Sequence, residues 1–281
     1  MATAELKEAC TLLAHKPLLW IPGIIGGILA SVLWLLAVFS GTFFAGRLLV
    51  FAGLVLLFFV IGALFLIRND GGDIRSMFGA AWQYYFRVLL PLLFILFMTL
   101  LVFVLVVLTL TLIGAAPGNA AMVFLSFGVI LPSLLLTIFA DNAAVFEDRK
   151  VFESIQRSIQ LVSLNMAQFI MFLVVSVVAV CSILFFLMIV WEAALFTRLE
   201  PIMNYTQEQQ MALTFDQLLA LIGTDGIWVT AGVLFLTGLI LIPLVTSYKA
   251  CFFRKLAKGA TIDIQQQIAG EYDSKGRWYK Y

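Results

Sequence analysis

Six runs of apolar residues succeed one another along the chain: Leu18–Phe39, Leu48–Ile67, Val88–Ile113, Ala120–Ala140, Phe169–Val190 and Ile227–Tyr248. A helix crossing hydrocarbon about 30 Å thick needs about 20 such residues, and each run is long enough. None has a formal charge in its interior. Arg47, Arg68, Arg87, Asp141, Glu192 and Lys249 all stand at the edges, as a cost of about 2.5–3.5 kcal/mol per central charge requires. The pattern predicts an all-α polytopic membrane protein with six transmembrane helices.

Between the runs the pattern turns periodic. Leu6, Ala9 and Leu13 share one helical face before the first run; Phe78, Ala81 and Tyr85 repeat that spacing before the third, and Phe152, Ile155 and Ile159 before the fifth. Acidic residues precede each segment, Glu5, then Asp73, then Glu147 and Asp148, where the helix dipole favours a carboxylate. Asp73 reads as a helix N-cap. The spacing predicts amphipathic helices lying in the headgroup layer, apolar side down, before the chain turns into the bilayer. Each introduces a helical hairpin, over 5–67, 73–140 and 147–248. Two readings stay open: parallel repeats about the membrane normal, or juxtamembrane helices that are amphipathic without being repeats.

Residues 191–226 form the one long external loop. Met211, Phe215, Leu218 and Ile222 make an apolar stripe there, which predicts a further amphipathic helix on the outer surface. Asn204-Tyr205-Thr206 is a formal glycosylation acceptor. At the other end the last helix is expected to continue past Tyr248 and stop at Gly259. Residues 1–258 then form a single transmembrane domain, and 259–281 a cytoplasmic tail ending in Trp278-Tyr279-Lys280-Tyr281, either disordered or a docking peptide.

Composition agrees with the pattern. Of 281 residues, 63% are apolar and 12% charged, with a mean hydropathy of +1.08, against about 25% charged in a soluble domain. Lipid must be the solvent. The net charge of +1 hides an asymmetry: with the N-terminus inside, only Arg47 and Arg198 of the 17 Lys and Arg lie outside. Cytoplasmic Lys and Arg set topology, so both termini are expected inside. Trp20, Trp34, Trp191 and Trp228 fall near interfaces, where amphipathic rings prefer to sit. No cleavable signal peptide is evident.

Candidate chemistry is sparse. His15 has no ligand-spaced partner, and Cys10, Cys181 and Cys251 make no metal-type spacing. Cys181 reads as a small buried hydrophobe; acylation at Cys251 is the less favoured reading of that residue. Asp70-Gly71-Gly72-Asp73-Ile74-Arg75 resembles the opening of the CDP-alcohol phosphotransferase motif. The next helix, through Tyr84, Tyr85, Phe86 and Arg87, carries no acid, so the carboxylates that would hold metals are missing. The intramembrane hydroxyls, Thr99, Ser126 and Thr137 among them, are expected to bond within their own helices or to a neighbour. Pro22 and Pro91 lie near helix starts; Pro132 and Pro243 lie deeper and predict kinks. Gly23, Gly26, Gly27, Ala30 and Ser31 give the first helix a small-residue face for close helix contact, internal or between subunits.

No catalytic, cofactor or metal site is predicted. What remains is a cytoplasmic ring of charge: Asp73, Arg75, Asp141, Glu147, Asp148, Arg149 and Arg157. Capping and pairing across loops account for these residues better than a functional surface does, and double charge reversal at Asp148 and Arg157 tests the ring. Lys249, Arg254, Lys255 and Lys258, interleaved with Phe252, Phe253 and Leu256, are candidates for anchoring to anionic lipid. The patch is too small for a nucleic-acid role.

Residues 144–165 carry the acidic turn Glu147-Asp148, then Phe152, Arg157-Ser158, Leu161 and Asn165. This segment resembles one recurring in the prokaryotic six-helix family that includes the membrane domain preceding some bacterial glycerophosphodiester phosphodiesterases. The opening Leu6–Pro22, a helix followed by proline and tryptophan, is similar too. Ser154-Ile155 departs from the usual Glu-Ala, and Ile159 from an aromatic. The hydrolytic barrel has no counterpart in the sequence, so the resemblance implies a prokaryotic cytoplasmic membrane and no enzymatic activity. The expected function is a non-catalytic scaffold, assembly or regulatory component of a membrane complex, in contact with anionic lipid and with a protein partner or a second copy. The alternative is a channel, permease or facilitator for a lipid or small neutral solute. A membrane-embedded enzyme, for which Asp70, Asp73, Asp141, Glu147 and Asp148 are the only acid cluster, has the least support.

Overall fold

The computed structural model describes residues 2–114, 119–203, 205, 214–268, 271–272 and 278–279. The chain is helical almost throughout. Helix α1 spans Ala2–His15 and is followed by a 3-10 turn over Pro17–Trp20. Then come α2 (Ile21–Ser40), α3 (Thr42–Arg68), α4 (Ile74–Leu112), α5 (Asn119–Thr137), α6 (Ala140–Phe146), α7 (Val151–Leu164), α8 (Met166–Ala194), α9 (Phe196–Met203) and α10 (Phe215–Ile268). A two-residue antiparallel pairing, Glu271–Tyr272 with Trp278–Tyr279, follows. Six segments are long and apolar enough to cross a bilayer: Pro17–Ser40, Thr42–Arg68, Ile74–Leu112, Met122–Phe146, Met166–Ala194 and Gln217–Gly259. They contain the bulk of all six predicted runs.

Local chemistry sets the joints. Gly41, at φ 86°, is the only residue between α2 and α3; a left-handed φ without a Cβ penalty lets two spans meet with almost no loop. Gly223, at φ 64°, interrupts the helical dihedrals of α10 after Ile222. The residues before Gly223 carry Phe215, Leu218 and Ile222 of the predicted apolar stripe. Ile222 is buried and Phe215 meets the Trp34 ring edge-on at 6.0 Å; Met211, like Asn204 and Thr206, lies outside the described residues.

The small-residue face of α2 packs inside the chain, against α10. A Cβ on Gly27 would lie 2.5 Å from the Phe235 carbonyl oxygen, and one on Gly238 would lie 2.6 Å from the Gly27 Cα. The Ser31 hydroxyl donates to the Ala231 carbonyl at 2.7 Å, and Trp34 Nε1 to the Ile227 carbonyl at 3.1 Å. Without a hydrophobic drive between helices in lipid, such close backbone approach and interhelical bonding are what hold a bundle. Phe139, fully buried, gathers Phe169, Phe172, Phe252 and Phe253 within 6.0 Å between ring centroids. This aromatic knot joins the α5–α6 turn to α8 and α10.

Several expectations change. The segment carrying Phe78, Ala81 and Tyr85 does not lie flat before a turn but continues into the span as one 39-residue helix. Ala80, Ala81 and Tyr84 are buried there, Ala80 and Tyr84 in one cluster with residues of α3 and α6. The apolar stripe of α1 faces protein, with Ala9 and Leu13 buried, because Glu5 and Glu8 on the same helix pair with α10. On α7 the stripe stays outward: Phe152 is exposed, and Ser154, Ser158, Leu161 and Val162 are the buried face. Gly259 does not end α10, which runs on to Ile268; a helix-interior glycine costs only about 1 kcal/mol. Pro243 lies inside α10, whose one departure from helical dihedrals is at Gly223. Cys181 is exposed on the outer face of α8, and Cys251 is buried where an acyl transferase would not reach it.

The charged end and a cleft beside it

At one end of the bundle the charged residues meet in pairs that cross between elements. Asp148 sits just past α6 at φ 54°, a conformation Asp tolerates, and it aims its carboxylate at α3 and α4. Arg68, the last residue of α3, donates to Asp148 Oδ2 at 2.6 Å, to the Val145 carbonyl at 2.7 Å and to the Tyr84 hydroxyl at 3.0 Å. Tyr84 in turn donates to the other carboxylate oxygen of Asp148. Arg87 stands 3.9 Å away. The bonds from Arg68 and Tyr84 hold the Asp148 carboxyl below the usual carboxylate range.

A second knot involves Glu147, which accepts from Arg157 at 3.1 Å and from Arg149 at 3.2 Å. Asp148 and Arg157, neighbours in the predicted ring, therefore belong to different networks. Asp141 takes Lys249 of α10. Asp73 caps α4, accepting from the Ser76 N–H at 3.0 Å; Ser76 and the nearby charge of Arg75 lower its pKa. Arg75 itself is exposed.

Three of the candidate lipid-anchoring cations have acid partners within the chain. Lys249 pairs with Asp141, Lys255 with Glu5, and Arg254 with Glu8 and, at 3.3 Å, with Asp70. Lys16 approaches Asp70 at 3.9 Å. Lys258 and Arg254 line an open hollow of about 370 Å³ with Phe146, Glu147, Arg149, Arg157 and Phe253. Ring and anchor residues, about a hundred positions apart in the chain, thus share one basic surface. His15 is exposed, its Nδ1 2.8 Å from the Thr11 carbonyl oxygen. Among the described residues, no group of three or more His, Cys, Asp or Glu is placed to hold a metal.

Residues that the pattern of charge did not single out complete the end. Arg68 and Tyr84 were legible only as a span-terminal cation and a helical aromatic. Ser158 belongs to the Arg157-Ser158 motif, and its fully buried hydroxyl bridges α5 to α6. It donates to the Leu136 carbonyl at 2.8 Å and accepts from the Phe139 N–H at 3.0 Å. Ser158→Ala leaves both backbone groups dry and should cost about 1–3 kcal/mol, read as a lower unfolding temperature in lipid discs. Unchanged melting would mean that another donor and acceptor take over. Asn142, fully buried next to Asp141, has neither side-chain amide atom bonded to a described residue.

Beside the charged end, α4 and α5 diverge around a cavity of about 680 Å³. Its walls are apolar, Phe103 among them, except for Thr99, Ser126 and Thr137, and it ends against Ala140, Asp141 and Lys249. Pro91 stands in its wall, and the hydroxyls of Ser126 and Thr137 bond back to their own helix at 2.7 and 2.6 Å. This leaves a slot with almost no unspent polar groups along its length and a charge pair at one end. Compared with protein-family models, with curated proteins and with solved structures, the chain matches none.

Proposed function

We propose that the chain is a non-catalytic integral protein of a prokaryotic cytoplasmic membrane, a scaffold, assembly or regulatory component whose charged end, with both termini, faces the cytoplasm. The observation that supports this reading is the web of pairs at the charged end. Glu5, Glu8, Asp70, Asp141, Glu147 and Asp148 each neutralise a cation of another element or turn. Each of these pairs ties one helix end or turn to another, which is the work of a structural network. The outcome suits a platform: α1, α7 and the end of α10 held in register, with the basic hollow on its surface for an anionic lipid or an acidic partner. The excess of Lys and Arg at this end supports the orientation, and the motif at 144–165 supports the prokaryotic membrane.

The test is native mass spectrometry of the chain drawn from its own membrane into polymer discs. A protein partner at fixed stoichiometry is the expected result. A lone chain that retains no protein defeats the scaffold reading. The cavity between α4 and α5 favours the second reading, a facilitator for a lipid or small neutral solute.

A further inference from the structure

The cavity between α4 and α5 has the dimensions of a lipid site. Along α4 its wall runs from Val88 to Phe103, a length of about 22 Å at 1.5 Å per residue. That exceeds the roughly 15 Å depth of one leaflet's hydrocarbon, half of about 30 Å. Its volume of about 680 Å³ lies within the roughly 300–1,000 Å³ of ligand pockets. The rims are half-exposed or more, Leu96 at 61% and Leu134 at 55%, so the slot opens sideways to the bilayer, the direction from which a lipid enters.

The charged end of the slot differs from the rest. Lys249 reaches it with an ammonium that carries three donors. Asp141 takes one and the Ile138 carbonyl, at 3.4 Å, another, and among the described residues no acceptor takes the third. Arg87, one residue before the wall begins, adds a half-exposed cation whose nearest acid is 3.9 Å away. An apolar slot at least one leaflet deep, open to lipid and ending at the Lys249–Asp141 pair with one ammonium donor left over, is complementary to an amphiphile whose head accepts a hydrogen bond. A neutral solute has no use for the charge, and a bulk acyl chain has none either.

We propose that this cleft binds one phospholipid of the leaflet on the charged side, an acyl chain lying between α4 and α5 and the phosphate accepting from Lys249. The site needs no partner protein and no transport, so it stands or falls separately from the scaffold reading.

The full chain in maltoside detergent micelles, which carry no phosphate, with added phospholipid bearing a diazirine in its acyl chain, tests this by photolabelling and peptide mapping. Label is expected to concentrate on α4 and α5 within the cleft and to saturate as the probe fraction rises. Unlabelled phospholipid should compete about tenfold better than diacylglycerol of the same chains, the effect of one charge-assisted hydrogen bond. Thr99→Phe with Ser126→Phe should abolish cleft label, while label on the outward face of α8, at Val177 and Phe185, stays constant and reports an intact fold. The neutral pair Asp141→Asn with Lys249→Gln should erase the preference over diacylglycerol and keep the cleft label. Label spread evenly over all outward helices without saturation would overturn the site. Equal competition by diacylglycerol on the unaltered chain would overturn the role of Lys249.

Discussion

Gly238→Leu will separate α2 from α10. A first side-chain carbon at this position meets the Gly27 Cα and amide nitrogen, each at 2.6 Å, and backbone atoms cannot rotate away as a side chain would. Relief requires the helices to part, and parting breaks the Ser31 and Trp34 bonds to the Ala231 and Ile227 carbonyls. Overpacking in a close interface commonly costs about 1–3 kcal/mol; with two interhelical hydrogen bonds lost as well, about 3 kcal/mol or more is expected. That corresponds to roughly 6–12 °C in unfolding temperature for a chain of this size, measured by scanning fluorimetry in lipid discs. The control is Gly232→Ala on the same helix, where an added Cβ meets nothing within 4 Å; it should melt with the unaltered protein or slightly above it. If Gly238→Leu also melted unchanged, the seam between these helices would not be the contact that holds the bundle.

Arg68→Met is the second large effect. Three acceptors converge on this guanidinium from three places, Tyr84 on α4, Val145 at the end of α6 and Asp148 beyond it. Methionine keeps the stem and removes all three bonds, leaving the Val145 carbonyl dry and Asp148 without its principal partner. Solvent screens the half-exposed charge pair, so most of the cost comes from the unpaired Val145 carbonyl and the lost bonds to Tyr84 and Asp148, about 1–3 kcal/mol. Asp148→Asn should cost less, since its side chain is nearly half exposed and solvent screens the pair. The pH dependence has a definite sign. Because the folded Asp148 carboxyl lies below its unfolded value of about 3.9, its contribution is complete above that pH and is lost as pH falls through the folded value. The stability gap between the native chain and Asp148→Asn should therefore be constant from neutrality to about pH 5 and close below about pH 4. A gap that persists into acid would assign the effect of the substitution to packing.

What the sequence made plain were features carried by composition over one stretch. Six apolar runs, the cap at Asp73 and the small-residue face of α2 are each written in contiguous or helically spaced residues. The partner of that face was not, because Phe235 and Gly238 lie some two hundred positions away and nothing local to α2 names them. Charge behaved the same way. The ring of acids and bases was legible as a ring, yet Asp148 chose Arg68 over Arg157 through a left-handed turn and a tyrosine on another helix. Ser158 was missed because a hydroxyl on a helix is expected to bond back to its own turn, and here the turn it serves belongs to α5 and α6. The cleft was least legible of all, since an empty space between helices leaves no residue type behind; Pro91, expected near a helix start, instead stands well inside α4 in the cleft wall.

The longest-range pairs carry a consequence in time. Glu5 meets Lys255 across 250 positions and Glu8 meets Arg254 across 246, and the glycine seam of α2 likewise waits for α10. At roughly 5–20 residues made per second, the first helix spends about 10–50 s in the membrane before its partners are synthesised. Throughout that interval α2 presents a groove shaped for the last span. A ribosome that stalls after α8 leaves that groove vacant, and in a crowded membrane the last span of a neighbouring copy can fill it. Assembly of this protein is thus most exposed to error, and to rescue by an insertion chaperone, at the end of synthesis rather than its start.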